Sequence, residues 1–508
     1  MTSQKTPQET RAAGRREWIG LAVLALPTFL VSIDVFVLLL ALPQISADLG
    51  ASATQQLWIT DAYGFLLAGC MITMGTLGDR IGRRKLLLIG AAAFGAVSVL
   101  AAFSVSAEML IVARALLGIA GATLMPSTLA LISTMFPDPR QRGTAISIWM
   151  VCFMGGAAVG PMIGGLVLDA LWWGAVFLLG VPAMAVLLVA GPLVLPEFRD
   201  AGRPGRLDLP SAALSIVAIL LVVHGLKETA AHGWAPLPAL TLVAGIAVAV
   251  LFVRRQRRVP DPLLDLALFR DRTFSVALGT MLVGTLATGA MMLFVTQHLQ
   301  LVLGLSALVA ALWMVPAMLA SIIGSLVSPG LAARFRPAWV IGGGLVVCVA
   351  GLLTLAATGA QLAPLVIGFS LITLGAGPLA ALGTDLIIGA APQEKAGSAA
   401  SLSEVSGEFG YAMGIATIGS IGALVYSSRI PAGVPAGAAE SLAGATGVAA
   451  GLPAGAGRTL LAAARDAYLA GMHTAALVAA AALAVVAVAT TALLRGAAPA
   501  VTEADDVR

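Results

Sequence analysis

Long apolar runs alternate along this chain with short polar turns. A helix rises about 1.5 Å per residue, so crossing a hydrocarbon core of about 30 Å takes about 20 mostly apolar residues. Fourteen runs meet that length: 17–42, 56–76, 86–104, 108–133, 143–168, 172–195, 208–227, 236–253, 273–297, 308–333, 338–357, 363–389, 397–427 and 469–495. The pattern predicts an all-α polytopic membrane protein. The sharpest break lies between the second and third runs, at Gly75–Gly90, where Arg80, Arg83, Arg84 and Lys85 crowd a turn too short to hold a domain. A short loop this basic stays on the cytoplasmic side and orients both neighbours. Gly78 and Gly82 let the chain reverse tightly, and Asp79 is expected to cap the helix that follows.

Composition agrees. Of 508 residues, 59% are hydrophobic and 11% charged, with mean hydropathy +0.98, whereas a soluble protein carries roughly a quarter charged residues. With both termini cytoplasmic, the inside segments are the N-tail, 77–85, 134–142, 196–207, 254–272, 334–337, 390–396 and the C-tail, and they hold most of the 29 Lys and Arg residues. A span count wrong by one would scramble that alternation. The net charge of +4 is no argument for nucleic acid, because the cations sit in short loops between spans. Cys70, Cys152 and Cys348 all fall inside spans, which argues against a disulfide framework. The first run is too long for a signal peptide and is read as a retained span. Arg far outnumbers Lys and Ala and Gly abound, as in proteins of GC-rich bacteria, so the expected location is a bacterial cytoplasmic (inner) membrane.

An internal repeat organises the runs. Gly50, Ser52 and Ala53 recur as Gly304, Ser306 and Ala307, Leu77 and Arg80 as Leu331 and Arg334, and Gly143, Gly156 and Gly160 as Gly397, Gly410 and Gly414. The chain thus reads as a cytoplasmic tail (1–16), a six-helix half (17–195), two inserted spans (208–253), a cytoplasmic connector (254–272), a second six-helix half (273–495) and a cytoplasmic tail (496–508). Parallel six-helix halves meeting around a midplane cavity are a transporter plan. The connector is expected to lie as an amphipathic segment on the inner surface. The outer segment 428–468, rich in Ala, Gly and Pro, either folds over the outer mouth or forms a loose loop.

The motifs match a known family. Gly75-x-Leu77-x-Asp79-Arg80-x-Gly82-Arg83-Arg84 resembles the signature loop of the major facilitator superfamily. Leu110, Arg114, Gly118, Ala120 and Gly121 are similar to its fourth-helix motif, with Leu117 at the usual Gln. Gly156, Gly160, Pro161, Gly164 and Gly165 resemble the fifth-helix motif of exporters. Asp34 with Ala41-Leu42-Pro43 resembles the first-helix motif of the fourteen-span branch, with Phe36 and Leu39 at its polar Thr and Asn positions. The chain is therefore identified as similar to the fourteen-span drug:proton antiporters of that superfamily, the QacA- and SmvA-like pumps. The resemblance implies the major facilitator fold, with two six-helix halves plus two extra transmembrane helices. It implies efflux of lipophilic, mainly cationic drugs, dyes and biocides, with the proton gradient as energy source, no cofactor, no enzymatic step and a monomer in the bilayer. It also assigns acids of the thirteenth span to substrate recognition and coupling.

Charges inside spans are costly and mark ion or substrate pathways. Asp34, Asp61 and Arg114 fall at a similar level near the outer side, on spans one, two and four, and are expected to form a network in which Arg114 neutralises one acid and leaves the other free to titrate. The alternative is a static pair that only pins helices. Glu404 and Glu408 are spaced i,i+4 on one face of the thirteenth span, about 10 and 16 Å deep. No basic residue lies between Lys395 and Arg429. Desolvation and mutual repulsion disfavour two negative charges, so at least one is expected to hold a proton when the site is closed. Competition between proton and cation for one carboxylate then suffices for exchange; the alternative is an intrahelical hydrogen-bonded pair.

Gly156, Gly160 and Gly164 favour close helix approach, and Pro161 a bend. His224, His232, His298 and His473 are scattered near outer ends and read as interfacial, with no metal-site spacing. Trp58, Tyr63, Trp149, Phe294, Trp313, Tyr411 and the Met291–Met292 pair are candidates for a greasy cation pocket, packing being the bland alternative. A narrower cargo, such as a self-made antibiotic or a lipid-like metabolite, is the rival reading, and a non-transporting membrane sensor the remote one. No lysine sits in a G-x-x-x-x-G-K loop, which excludes a nucleotide-driven pump of that type. No H-E-x-x-H or nucleophile elbow points to an enzyme.

Overall fold

The computed structural model describes residues 13–197, 208–232, 236–259, 262, 264, 266–392, 396–431 and 433–494. It is all-helical among those residues: α1 Arg15–Leu49, α2 Ala53–Ile81, α3 Arg83–Ala102, α4 Ala107–Met135, α5 Pro139–Ala170, α6 Ala175–Leu178, α7 Gly180–Val194, α8 Leu209–His232, α9 Pro236–Gln256, α10 Arg272–Gln297, α11 Ala307–Ala332, α12 Pro337–Ala356, α13 Leu362–Gly389, α14 Ala396–Arg429, α15 Ala436–Glu440, α16 Leu442–Ala450 and α17 Ala454–Leu493. Eleven helical stretches among the described residues are long and apolar enough to cross a membrane. The chain is a multi-pass membrane protein.

Short polar residues start these helices. Ser52 accepts a hydrogen bond from the Gln55 amide and opens α2, and Ser306 does the same for α11 from the Val309 amide. Each serine follows a glycine in the left-handed region, Gly50 at φ 60° and Gly304 at φ 69°. The repeat read from sequence is thus a repeat of local geometry. At the opposite end Gly82 adopts φ 108° between α2 and α3, and a Cβ there would lie 2.4 Å from Glu197 Oε1. Gly82, not Asp79, is the N-cap of α3, and no side chain caps it. The Asp79 side chain lies outside the described residues.

The bundle has a basic end, where α2 turns into α3, and a capped end. Packing within each part is close because glycines remove Cβ atoms where backbones meet. A Cβ on Gly156 would sit 2.3 Å from the Phe29 carbonyl, and one on Gly164 2.5 Å from Val37, so α5 lies directly on α1. Gly410 and Gly414 of α14 press against Leu282 and Leu286 of α10 in the same manner. α8 lies over the line where α2 meets α14, with Val223 packed among Phe65, Leu66, Ala412 and Ala416. At the basic end Arg255 donates to Asp208 at 2.7 Å and to Ser211 at 3.0 Å, tying α9 to α8.

Two segments are now better defined. The connector 254–272 holds no amphipathic helix among its described residues; it makes a single 3₁₀ turn at Leu268–Arg270, whose buried Leu268 packs on Phe274, Ile387 and Leu402. Pro262 has no backbone N–H to give to a helix there. The segment 428–468 is folded: α15 and α16 lie across the end of the bundle, Tyr426 donates to the Ala438 carbonyl at 2.8 Å, and Gln56 reaches Ser441 Oγ at 3.1 Å. α17 begins at Ala454, well before the predicted start of the last span. The tails 1–12 and 495–508 lie outside the described residues.

Candidate functional site

α1, α2, α4 and α14 bring the intramembrane charges together. Arg114, with 1% of its side chain exposed, donates through Nη1 to Asp34 Oδ2 at 2.6 Å. Its Nε donates to the Ile59 carbonyl at 3.2 Å, and its guanidinium lies 4.5 Å from the centre of the Tyr63 ring. A buried guanidinium held by a carboxylate, a carbonyl and an aromatic face has its charge compensated on every side.

The expected three-charge network takes a different shape. Ile59 and Tyr63, one helical turn apart on α2, face Arg114. Asp61, midway between them, therefore turns away, toward α14 and within electrostatic range of Tyr411. It is fully buried, and Thr60 Oγ1 lies 3.4 Å from its Oδ1. Depth along a helix axis put Asp34, Asp61 and Arg114 at one level; the rotation about that axis, which depth does not give, splits them.

Glu408 supplies the third charge from α14. It lines one small cavity with Leu38, Thr60, Tyr63, Arg114 and Tyr411, with a volume of about 20 Å³, about the room one water needs. The expectation that nothing neutralises this acid holds only along its own helix; in space it shares a cavity with Arg114. Glu404, one turn nearer the basic end on the same face, is exposed while Glu408 is half-buried. Beyond Glu408 the packing is tight: a Cβ on Gly64 would touch Ala412 at 3.0 Å. Toward the capped end the closure is polar: Gln300 donates to the Leu40 carbonyl at 3.1 Å and Ser306 to Asp169 at 2.8 Å.

Tyr63 is the residue the sequence undervalued. It is buried, and its hydroxyl has no hydrogen-bond partner among the described residues. Trp149 instead stacks on Phe153, and Phe294 packs on Tyr468, so both are packing residues here. His298 is not interfacial: it is fully buried where α10 ends in a π-helical turn, His298–Val302.

The motif glycines act one step removed. The α5 stripe seats α1, the helix that carries Asp34; Gly160 lies 3.2 Å by its Cβ position from Ile33, the residue before it. Pro161 lies inside α5, and Gly165 meets Leu308 of α11. In the basic turn Gly75 is loosely packed near Pro126 and Gly78 lies against Arg83; Arg80 is half-buried. Arg84 pairs with Glu197 at 3.5 Å and donates to the Leu195 carbonyl at 3.0 Å, binding the turn to the end of α7. No group of three or more His, Cys, Asp or Glu residues fit to hold a metal occurs among the described residues.

The chain is 44% identical over 485 residues to the multidrug efflux pump LfrA of Mycolicibacterium smegmatis, covering 94% of this chain and 95% of the relative. It is 35% identical over 479 residues to the methyl viologen resistance protein SmvA of Salmonella typhimurium, covering 92% and 96%. Its fold matches the crystal structure of a bacterial homolog of the human lysosomal transporter Spinster, with a TM-score of 0.71 at 16% identity, over 96% of this chain and 99% of that one. The Major Facilitator Superfamily family model matches residues 24–415. The chain belongs to the Major Facilitator Superfamily, in the branch of its drug-efflux pumps.

Proposed function

We propose that this chain is a fourteen-span exporter that moves lipophilic, mainly cationic drugs, dyes or biocides out of the cytoplasm in exchange for protons. Both termini and the basic end lie on the cytoplasmic side, the capped end faces outward, and the chain works as a monomer without a cofactor. The observation that carries the reading is Glu408 of α14 sharing one cavity between the two halves with Arg114 of α4, which is itself paired with Asp34 of α1. Relatives named as drug-efflux and drug-resistance proteins over nearly the whole chain support the same conclusion.

The exchange follows from the geometry. A proton on Asp34 cancels the charge that holds Arg114 Nη1, so the guanidinium is released toward Glu408. A cation entering from the basic end meets Glu404 first, at the open level of the cleft, and then Glu408 at its closed end. Cation and Arg114 compete for Glu408, so loading cargo returns Arg114 to Asp34 and expels the proton. No covalent step is needed. Asp61, buried on the same seam, is a second proton-handling group. The glycine stripe on α5 and the Gly75–Arg84 turn hold the first half together, and Gly165 of α5 meets Leu308 of α11 where one half rocks against the other.

Everted vesicles test this. Adding a lipophilic cationic dye to energised vesicles is expected to alkalinise the lumen as dye accumulates. Dye accumulation that persists after an uncoupler collapses the pH gradient would overturn the coupling.

A further inference from the structure

We propose that His298 is the group through which a proton from the outer side unlocks the capped end: its neutral imidazole seats the turn that ties the two halves together there, and protonation unseats it. The imidazole is fully buried, and neither Nδ1 nor Nε2 has a hydrogen-bond partner among the described residues. A polar group buried without a partner is costly, and an apolar side chain would fill the same space without that cost. Packing alone therefore does not account for a histidine here. The backbone is equally unusual. Regular α10 gives way at His298 to the π-helical turn His298–Val302, which the Leu303 amide closes by donating to the His298 carbonyl at 3.0 Å. Such turns concentrate at functional sites.

The turn carries the contacts that close this end. Gln300, inside it, donates to the Leu40 carbonyl of α1, and Ser306, just past it, donates to Asp169 of α5. Both contacts cross from the second half to the first. α17 fixes the turn in place: Arg465 donates to the Leu301 carbonyl at 3.3 Å and Tyr468 to the Phe294 carbonyl at 2.6 Å, with the Tyr468 ring 6.5 Å from the imidazole. α11 and α16 of the cap also touch the turn, and neither has a titratable side chain. The other charged or titratable groups of the packed helices are engaged or turned outward. Asp34 of α1 pairs with Arg114, Asp48 of α1 accepts from Trp173, His473 of α17 bonds the Thr358 carbonyl, and Asp466 of α17 is exposed. An imidazolium in this seat would be buried on the turn that Arg465 already holds, with no carboxylate to receive it. Such a charge is accommodated by water, so proton uptake favours the state in which the turn has swung out and the halves have parted.

The inference rests on the orientation and proton exchange proposed above, but it is read from conformation without transport, so the two fail separately. The test is the distance across the capped end of the full chain in nanodiscs, from spin labels at Val105→Cys and Ala360→Cys with the native cysteines replaced by alanine. Both positions are exposed, in the α3–α4 and α12–α13 turns. The fraction with parted labels is expected to rise as pH falls through about 6.5, the ordinary value of a solvated histidine, by up to about tenfold per pH unit for one proton. Glu408→Gln should keep that response. His298→Phe, which fills the seat and takes no proton, should stay closed at every pH. His298→Arg, which carries a fixed charge, should be parted at every pH. A pH response that survives in His298→Phe, or a closed His298→Arg, would overturn the proposal, as would an unmodified chain with no response.

Discussion

Arg114 is held by three different kinds of contact, and each predicts a different mutational outcome. The Tyr63 ring lies 4.5 Å from the guanidinium, while its hydroxyl makes no hydrogen bond among the described residues. Tyr63→Phe should therefore leave dye export near the unmodified level. Tyr63→Ala removes a cation–π contact worth about 1.4 kcal/mol in a desolvated site and should lower it about tenfold. Equal loss in both variants, measured as efflux rate per copy of protein, would show that the hydroxyl matters and the ring does not. Asp34, Glu404 and Glu408 were legible in sequence because a charge inside an apolar run stands out against its neighbours. Tyr63 was legible only as one of several aromatic candidates, because an aromatic ring in such a run is ordinary. The partner of Arg114 was half legible: position along a helix follows from counting, but its rotation depends on the packing of α2 between α4 and α14.

Helix ends carry the next set of outcomes. Gly82→Ala would place a Cβ in the left-handed region and against Glu197, costing about 1–3 kcal/mol of strain. The expected result is a lower melting temperature in detergent and weaker dye export, with Glu197→Ala partly restoring both. Unchanged melting of Gly82→Ala would contradict the geometry of the turn. At the α8–α9 tie, burial raises the affinity of Asp208 for a proton, but hydrogen bonds from Ser211 and Arg255 and the charge of Arg255 outweigh it and hold the carboxyl below its ordinary value of 3.8. A depressed carboxyl contributes stability that is present above its unfolded value and fades as pH falls through the folded one. Asp208→Asn should thus lower the melting temperature at pH 7, with the difference shrinking below about pH 4; a constant difference across pH would contradict this. The glycine stripe on α5 announced close packing through its spacing. The connector's apolar residues suggest an amphipathic segment, and its described part makes only the 3₁₀ turn at Leu268–Arg270.

For the molecule as a whole, the capped end is tied to the bundle where Gln56 and Ser441 join α2 to the cap. Export requires that end to separate. Gln56→Cys with Ser441→Cys, joined by a short thiol cross-linker, should stop dye export while leaving dye binding intact, and reversal of the link should restore it. Continued export by the linked protein would mean that the cap does not move. The two-half plan was visible because Gly50–Ser52 and Gly304–Ser306 repeat a turn whose geometry constrains its residues. The cap was not, because a segment of Ala, Gly and Pro fits a packed helix or a loose loop equally well, and contacts with Tyr426 and Gln56, distant in sequence, decide between them. The central claim is that proton and cargo alternate in one polar cleft through Glu408. The most direct test is proton release by the purified protein on adding a saturating lipophilic cation in weakly buffered solution. The unmodified protein should release protons on binding and Glu408→Gln should release none; equal release from the two would contradict the account.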